Sequence, residues 1–380
     1  MQWKIPLSDI DLGEEEIDAV VKVLKSKWLS MGPITEKFEN TFAEYLNVKH
    51  AFAVSSGTAA LHIANIALGI GRGDEVILPS LTFVATSNSV LYAGAKPVFA
   101  DITSYDDFTI SPDDIQNKIT SRTKAIIVVH YGGYMCDMNA ILEIAQDYGV
   151  FVIEDSAHAV GAEISGRKAG TIGDIGCFSF FSNKNLVTGE GGMIVTNNDE
   201  IAEKIKSIRS HGMTILTWDR HRGYAHSYDV INLGFNYRLN EMASAIGLAQ
   251  LKKLDENNRK RMLITEKYKK LLRRVYEIYI PFNNYRGKPS YHIFPILLSD
   301  EIPRQEFMEK LKEKGIQTSI HYPPIHLFTY YRKLGFRERL QKTEYVGKHE
   351  VTLPLYPMLE DSDIEYIVDM VYTTIQEMIG

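Results

Sequence analysis

GCFSFFSNKNLVTGEGGMIVTNN, residues 176–198, is the stretch on which the fold turns. CFSF has the unalternating apolar texture of a strand covered on both faces. The polar loop after it carries Lys184, and the glycine-rich turn from Gly189 to Gly192 leads into a second strand, MIVTN. A lysine held between two such strands is placed for Schiff-base chemistry with an aldehyde cofactor. A lone loop lysine is ordinarily a solvated surface group, so the neighbouring segments decide what Lys184 is for.

Upstream, the same beat repeats. AFAVSS (Ala51 to Ser56), EVILPS, KPVFADI, AIIVVHY (Ala125 to Tyr131) and FVIEDSA (Phe151 to Ala157) are short β-branched runs separated by helical stretches such as Met138 to Tyr148. Parallel strands with helices on both faces are written this way, which predicts a three-layer α/β architecture at least as far as Asn198. Glu14 to Ser26 sets Ile17, Val20, Val21 and Leu24 at helical spacing behind an acidic first turn, the pattern of an amphipathic helix. Downstream, Asn240 to Val275 holds no proline and only Gly247, predicting one long helix or two in series. After Pro281, the strand-like YHIFPILL (Tyr291 to Leu298), the helix RQEFMEKLKEKG and a final helix from Asp363 suggest a small α+β domain. The 380 residues therefore divide into a large domain over 1–245, which includes the N-terminal segment, and a long linking helix with a small domain over 246–380.

Composition narrows the function. A formal net charge of −6 offers no general field for nucleic acid or anionic lipid. The Lys- and Arg-rich face between Leu251 and Val275 reads as solvated, since no aromatic platform accompanies it. Cys136 and Cys177 are the only cysteines and lie far apart, which suggests neither a disulfide framework nor a thiolate metal site. The N-terminus lacks a signal-peptide pattern and no apolar run approaches a membrane span, so the expectation is a cytoplasmic, soluble chain. No histidine pairing supports a metal centre; His321 and His326 lie in a loop interrupted by proline.

Three further segments carry candidate chemistry. SSGTAALH, Ser55 to His62, places Ser56, Gly57 and Thr58 where a strand ends and an Ala-rich helix begins, which is either an anion site or an ordinary N-cap. EDSAHA, Glu154 to Ala159, puts Asp155 at the carboxyl end of a strand, facing the crevice where α/β proteins bind ligands. Asp155 is placed to hold a charged ring nitrogen, although a strand-end aspartate capping the next helix looks the same, and His158 alone reads as a structural histidine. In LGFNYRLNEMASAIG, Asn236 and Arg238 precede the long helix, where capping and solvation are equally open. GIGRGD, Gly69 to Asp74, follows a helix and precedes a strand, the reverse of a dinucleotide loop, and reads as a C-terminal turn.

Taken in order, SSGTAAL, PSLTFVATSN, EDSAHAVGA, FSFFSNKNLVTGEGG and GFNYRLNEMASAIG resemble the DegT/DnrJ/EryC1/StrS family of pyridoxal-phosphate sugar aminotransferases. The resemblance runs from WLSMGPITEKFE to IHYPPIHLFTYYR. It implies a fold-type I aminotransferase that acts on nucleotide-linked keto sugars as a homodimer with shared sites, with L-glutamate as amino donor. By matching position, Lys184 would carry the cofactor and move the proton. Asp155 would keep the pyridine nitrogen protonated, and His158 would contact the cofactor O3′. Gly57, Thr58 and Ser179, with Ser56 beside them, would bind the phosphate. Phe83 would stack on the ring, and Asn236 would reach the neighbouring subunit's phosphate. Arg238, His321, Tyr322 and His326 would meet the sugar nucleotide. Members with histidine in place of the lysine act as sugar 3-dehydratases; Lys184 favours amino transfer. A keto-cyclitol substrate, or a silent relative serving as a binding module, would leave much the same pattern around the cofactor.

Overall fold

The computed structural model describes residues 3–215, 223 and 227–379. The strands read from the sequence as far as Asn198 form one sheet. These are β1 (His50–Val54), β2 (Glu75–Pro79), β3 (Lys96–Ala100), β4 (Thr123–Val129) and β5 (Phe151–Asp155). A small hairpin follows, β6 (Glu163–Ile164) and β7 (Arg167–Lys168), and then β8 (Ile175–Ser179) and β9 (Gly192–Thr196). The seven-stranded sheet runs β1-β9-β8-β5-β4-β2-β3. All its strands are parallel except β9, which the Gly189–Gly192 turn sends back antiparallel between β1 and β8.

The strands are apolar on both faces because each face has its own helical cover. Val76, Leu78, Ala125, Ile127 and Cys177 pack against α3 (Gly57–Ala67), α4 (Val84–Tyr92) and α7 (Asp199–Ile208). On the other face, Ile77, Ile126 and Val128 meet α5 (Pro112–Lys118) and α6 (Met138–Tyr148). Phe178 and Met193 meet Phe38 and Phe42 of α2 (Pro33–Leu46) there. The period-two split of neighbouring residues between opposite cores is what a central strand requires.

The predicted helix over Asn240–Val275 is a single 32-residue helix, α8 (Glu241–Leu272), with Asn240 accepting from the Ala243 amide at its start. It carries the chain into a second core built on β10 (Ile278–Tyr279), β11 (Phe294–Leu298) and β12 (Glu350–Leu353), an antiparallel sheet. The cover is α9 (Arg304–Glu313) and α12 (Asp361–Ile379), with short α10 (Thr329–Lys333) and α11 (Gln341–His349) between. The cores do not divide at residue 245. Ile5 belongs to the second core, while Ile325, Tyr331, Phe336 and Leu340 pack into the first. Among the described residues, no helix is long and apolar enough to cross a membrane.

Helix α1 (Glu14–Ser26) spans the predicted residues, but its apolar stripe faces outward: Ile17 is 55% and Leu24 51% exposed. The helix docks instead through Glu16, which meets Gln250 and Lys253 of α8 at 2.9 Å each. A second buried carboxylate ties α8 to α2. Glu241 accepts from the amides of Gly32, Ile34 and Thr35 at 2.8–2.9 Å and from the Thr35 hydroxyl at 2.7 Å. It satisfies the orphan donors at the α2 N-terminus and places negative charge at the positive end of that helix dipole. Glu241→Ala should therefore lower the unfolding free energy by about 3 kcal/mol. Urea titration measures it, and a loss under about 1 kcal/mol, the worth of one neutral hydrogen bond, would contradict the role.

Candidate active site

The carboxyl ends of β1, β4, β5 and β8 open into one cavity of about 620 Å³, in the crevice where open α/β sheets bind ligands. Ser56, Gly57, Thr58, Phe83, Asp155, His158, Ser179, Lys184, His321 and Tyr322 all line it, gathered from segments spread over most of the chain.

One end is the start of α3. Ser56 is its N-cap, accepting from the Ala59 amide at 3.1 Å. The helix start lies flush on the end of β8: a Cβ on Gly57 would come within 2.8 Å of the Ser179 Cβ. Bare backbone amides at a helix N-terminus, flanked by the Thr58 and Ser179 hydroxyls, make a cradle suited to an anion.

Beneath lies Asp155. Thr86 donates to its Oδ2 at 2.8 Å, the Thr82 hydroxyl lies 2.9 Å behind Thr86, and the Ala157 amide donates to Oδ1 at 3.2 Å. Burial nevertheless pushes the carboxyl above its ordinary range, against these donors and the charge of Lys184. Such a group gains from any cation set beside it. Its neighbour Glu154 points to the other face, where it accepts from His130 at 2.9 Å and from the Gly170, Ile172 and Gly173 amides. That pins the loop before β8.

Lys184 stands on the loop between β8 and β9. Burial pulls its ammonium down to about 8, with the Asp155 carboxylate pulling the other way. The loop is anchored by Asn185, whose amide donates to Asn258 and to the Ser290 carbonyl at 2.7 Å each and whose oxygen accepts from His292 at 2.9 Å. His158 accepts from the Gly132 amide at Nδ1, so its Nε2–H donates to the Tyr322 hydroxyl at 2.9 Å. Burial, and then the charge of Lys184, hold His158 well below the usual histidine range, and it stays neutral. Phe83 forms a wall, 58% exposed, its ring 6.1 Å from that of Tyr322.

Three expected residues lie elsewhere. His326 does not line the cavity; it is fully buried, with Nδ1 2.7 Å from the Ser80 hydroxyl and Nε2 3.2 Å from Glu344. Both ring nitrogens are spent inside the protein, so His326 packs the loop rather than meeting a ligand. Asn236 and Arg238 also lie outside this chain's own cavity, in a segment that bridges to Ser210 and to Val54 at the end of β1. Conversely, Thr86 and Asn185 act on the site without having been singled out. Both stand inside segments quoted for other residues, and for Thr86 the spacing of four from Thr82 was the available signal.

A mainly parallel α/β sheet thus brings a lysine of lowered pKa, a buried aspartate and a helix N-terminus around one cavity. The chain belongs to the DegT/DnrJ/EryC1/StrS aminotransferase family, whose model matches residues 10–372. It is 39% identical over 378 residues to the spore coat polysaccharide biosynthesis protein SpsC of Bacillus subtilis strain 168, covering 98% of this chain and 96% of that one. Its structure superposes on PseC of Helicobacter pylori, an aminotransferase involved in pseudoaminic acid biosynthesis. The TM-score is 0.92 at 31% identity, over 99% of this chain and 100% of PseC. Spr1654 of Streptococcus pneumoniae, solved in its PLP form, matches with a TM-score of 0.91 at 27% identity, over 99% of this chain and 100% of that one. The chain is an aminotransferase.

In the unloaded protein the Lys184 amine should titrate near 8, and Asp155→Asn should lower it further by removing the charge that favours the ammonium form. NMR of ¹³C-methylated lysines reads this directly, and a Lys184 resonance titrating at the ordinary 10.5 would contradict it. Between about 8 and 10.5 the unfolded chain holds a proton that the folded chain has released, so this group makes stability rise with pH across that window.

Proposed function

We propose that this chain is a pyridoxal-phosphate-dependent sugar aminotransferase that moves the amino group of L-glutamate to the keto carbon, C3 or C4, of a nucleotide-linked keto-deoxysugar. The observation that carries the reading is the meeting, in one cavity, of a lysine tuned to about 8, a buried carboxylate and an open helix N-terminus. The donor set fits the cofactor group by group. The Gly57 and Thr58 amides with the Ser56, Thr58 and Ser179 hydroxyls suit its phosphate, Asp155 suits a cationic ring nitrogen, Phe83 suits a ring face, and Lys184 suits an aldehyde.

Bound there, pyridoxal phosphate supplies the electron sink that makes a proton α to nitrogen removable. The chain's own residues do the rest. Lys184, half ionised near pH 8, both accepts and returns that proton at Nζ, which is the condition for efficient acid–base work. Asp155 keeps positive charge on the ring side of the cavity, and Thr86 orients the carboxylate that does so. His158 and Tyr322, neutral and hydrogen-bonded to each other, present a polar edge without adding charge. Phe83 and Tyr322 screen the opening from water. His321 and Tyr322 are this chain's proposed contacts to the sugar nucleotide, Arg238 is proposed to reach the site of a partner subunit, and SpsC and PseC, as sugar-pathway relatives, support that class of substrate.

A homodimer accounts for surface that a lone chain leaves bare. The α1 stripe is uncovered, and Leu233, beside Asn236 and Arg238, is 84% exposed. Asn236 would then serve the partner's phosphate.

Lys184→Ala should cut amino transfer by about 10³-fold or more, the scale of losing an acid–base group. The visible absorbance of the cofactor-loaded protein should vanish with it, and in wild type should bleach on adding glutamate. Incubation with dTDP-, UDP- and GDP-linked keto sugars plus glutamate, read by mass spectrometry, identifies the substrate. Turnover by Lys184→Ala at the normal rate, or amination of none of these sugars, would overturn the reading.

A further inference from the structure

Behind the cavity wall lies a chain of hydrogen bonds in which the charge of one carboxyl sets each partner's role. Glu350 is fully buried at the start of β12. Its Oε2 accepts the backbone N–H of His321 at 2.7 Å, and its Oε1 lies 2.5 Å from the Thr352 hydroxyl. Thr352 Oγ1 in turn lies 2.7 Å from His321 Nδ1. While Glu350 is ionised its carboxylate can only accept, so the Thr352 O–H donates to Glu350 and its oxygen accepts from His321 Nδ1–H. In that state His321 is the Nδ1–H tautomer. Its other nitrogen, Nε2, has no hydrogen-bond partner among the described residues, and the ring lines the cavity. The arrangement is rigid because the segment that bears His321 pairs with β12 through Ser319 and Thr352.

We propose that His321, Thr352 and Glu350 form a proton relay through which the cavity gains or returns one proton without a buried imidazolium ever forming. The transfer balances. A proton bonds to His321 Nε2, the Nδ1 proton passes to Thr352 Oγ1, and the Thr352 hydroxyl proton passes to Glu350 Oε1. The end state is an Nε2–H imidazole, an intact hydroxyl and a neutral carboxylic acid; nothing is oxidised or reduced. The arriving proton cancels the Glu350 charge instead of creating a new one in a dry site.

The electrostatics run the same way. Burial, and then the charge of Lys184, push the His321 imidazolium down to about 3. Burial pushes the Glu350 carboxyl up to about 8, against donation from Thr352 and the His321 amide and the charge of Arg304 on α9. The remaining groups that face it, Tyr131 before α6 and Tyr322, are phenols raised by burial, and they stay neutral. Glu350 and Lys184 thus both titrate near 8, so a proton moves between them across the cavity at little cost. The relay belongs to the site proposed above, but its signature is a property of the unloaded protein and stands or falls apart from the transfer reaction.

Long-range ¹H–¹⁵N spectra of the unloaded, ring-¹⁵N-histidine protein read the tautomer, with the His321 signal assigned from its loss in His321→Gln. About one pH unit above 8, His321 should be Nδ1–H; one unit below, it should be Nε2–H, with no imidazolium at either. Glu350→Gln, whose amide donates to Thr352, should hold Nε2–H throughout. Thr352→Val should abolish the crossover and Thr352→Ser should restore it, a pair that keeps the test alive if Glu350→Gln fails to fold. An unchanged wild-type tautomer across the range, an imidazolium, or a crossover surviving in Thr352→Val would overturn the relay.

Discussion

The site depends on a carboxyl, Asp155, set in a place that disfavours its charge. The position follows from strand geometry. β5 ends in Glu154 and Asp155, and the period of two sends them to opposite faces. Glu154 turns back into the protein, where His130 and three loop amides use it up. Asp155 turns into the crevice and, among the described residues, receives only Thr86 and one amide. Two adjacent acids therefore have different fates: one is held low by a full set of donors, and one is raised by burial and left under-compensated. The missing compensation is what a ring cation would supply, and in the unloaded protein it falls partly to Lys184. Each group shifts the other toward its charged form while burial opposes both, and the balance leaves the lysine at about 8.

The opposite end of the cavity is set by sterics. The α3 N-terminus meets β8 and β9 so closely that a Cβ on Gly57 would crowd Ser179, and one on Gly192 would lie 2.6 Å from the Ser56 carbonyl carbon. Glycine at these two positions lets the helix start sit directly over the sheet edge, and only then do its amides open into the same cavity as Asp155 and Lys184. Lys184 reaches that cavity because its loop leaves β8 and returns as β9, the one strand that runs against the rest.

Much of this could be read from the chain because it is local. Lys184, Asp155 and the Ser56–Thr58 turn each stand at a strand end, and their order along the chain carries the fold. What escaped was whatever depends on distant partners. Asn185 was quoted beside Lys184, yet its role rests on Asn258 and Ser290, 73 and 105 positions away. His326 looked like a loop histidine free to meet substrate, but Ile325 and Tyr331 on either side of it sink into the first core and carry it under the surface. The α1 pattern showed correctly that one face is apolar, but periodicity cannot say what covers that face. The division at residue 245 assumed that cores follow chain order, and the ends of the chain do not.

That crossing of segments explains how the second core reaches the chemistry. Residues 319–328 leave the antiparallel sheet at the Ser319–Thr352 pairing, pass His321 and Tyr322 along the cavity wall, and anchor in the first core at Ile325. The wall is thus held from both sides, and its polar groups answer to both. Tyr322 is fixed by His158 of the first domain's site, while His321 is fixed by Thr352 and Glu350 of the second sheet. Two neighbouring side chains are oriented by opposite halves of the protein. The second core shapes the pocket, and through Glu350 it is also proposed to set the protonation state of the wall.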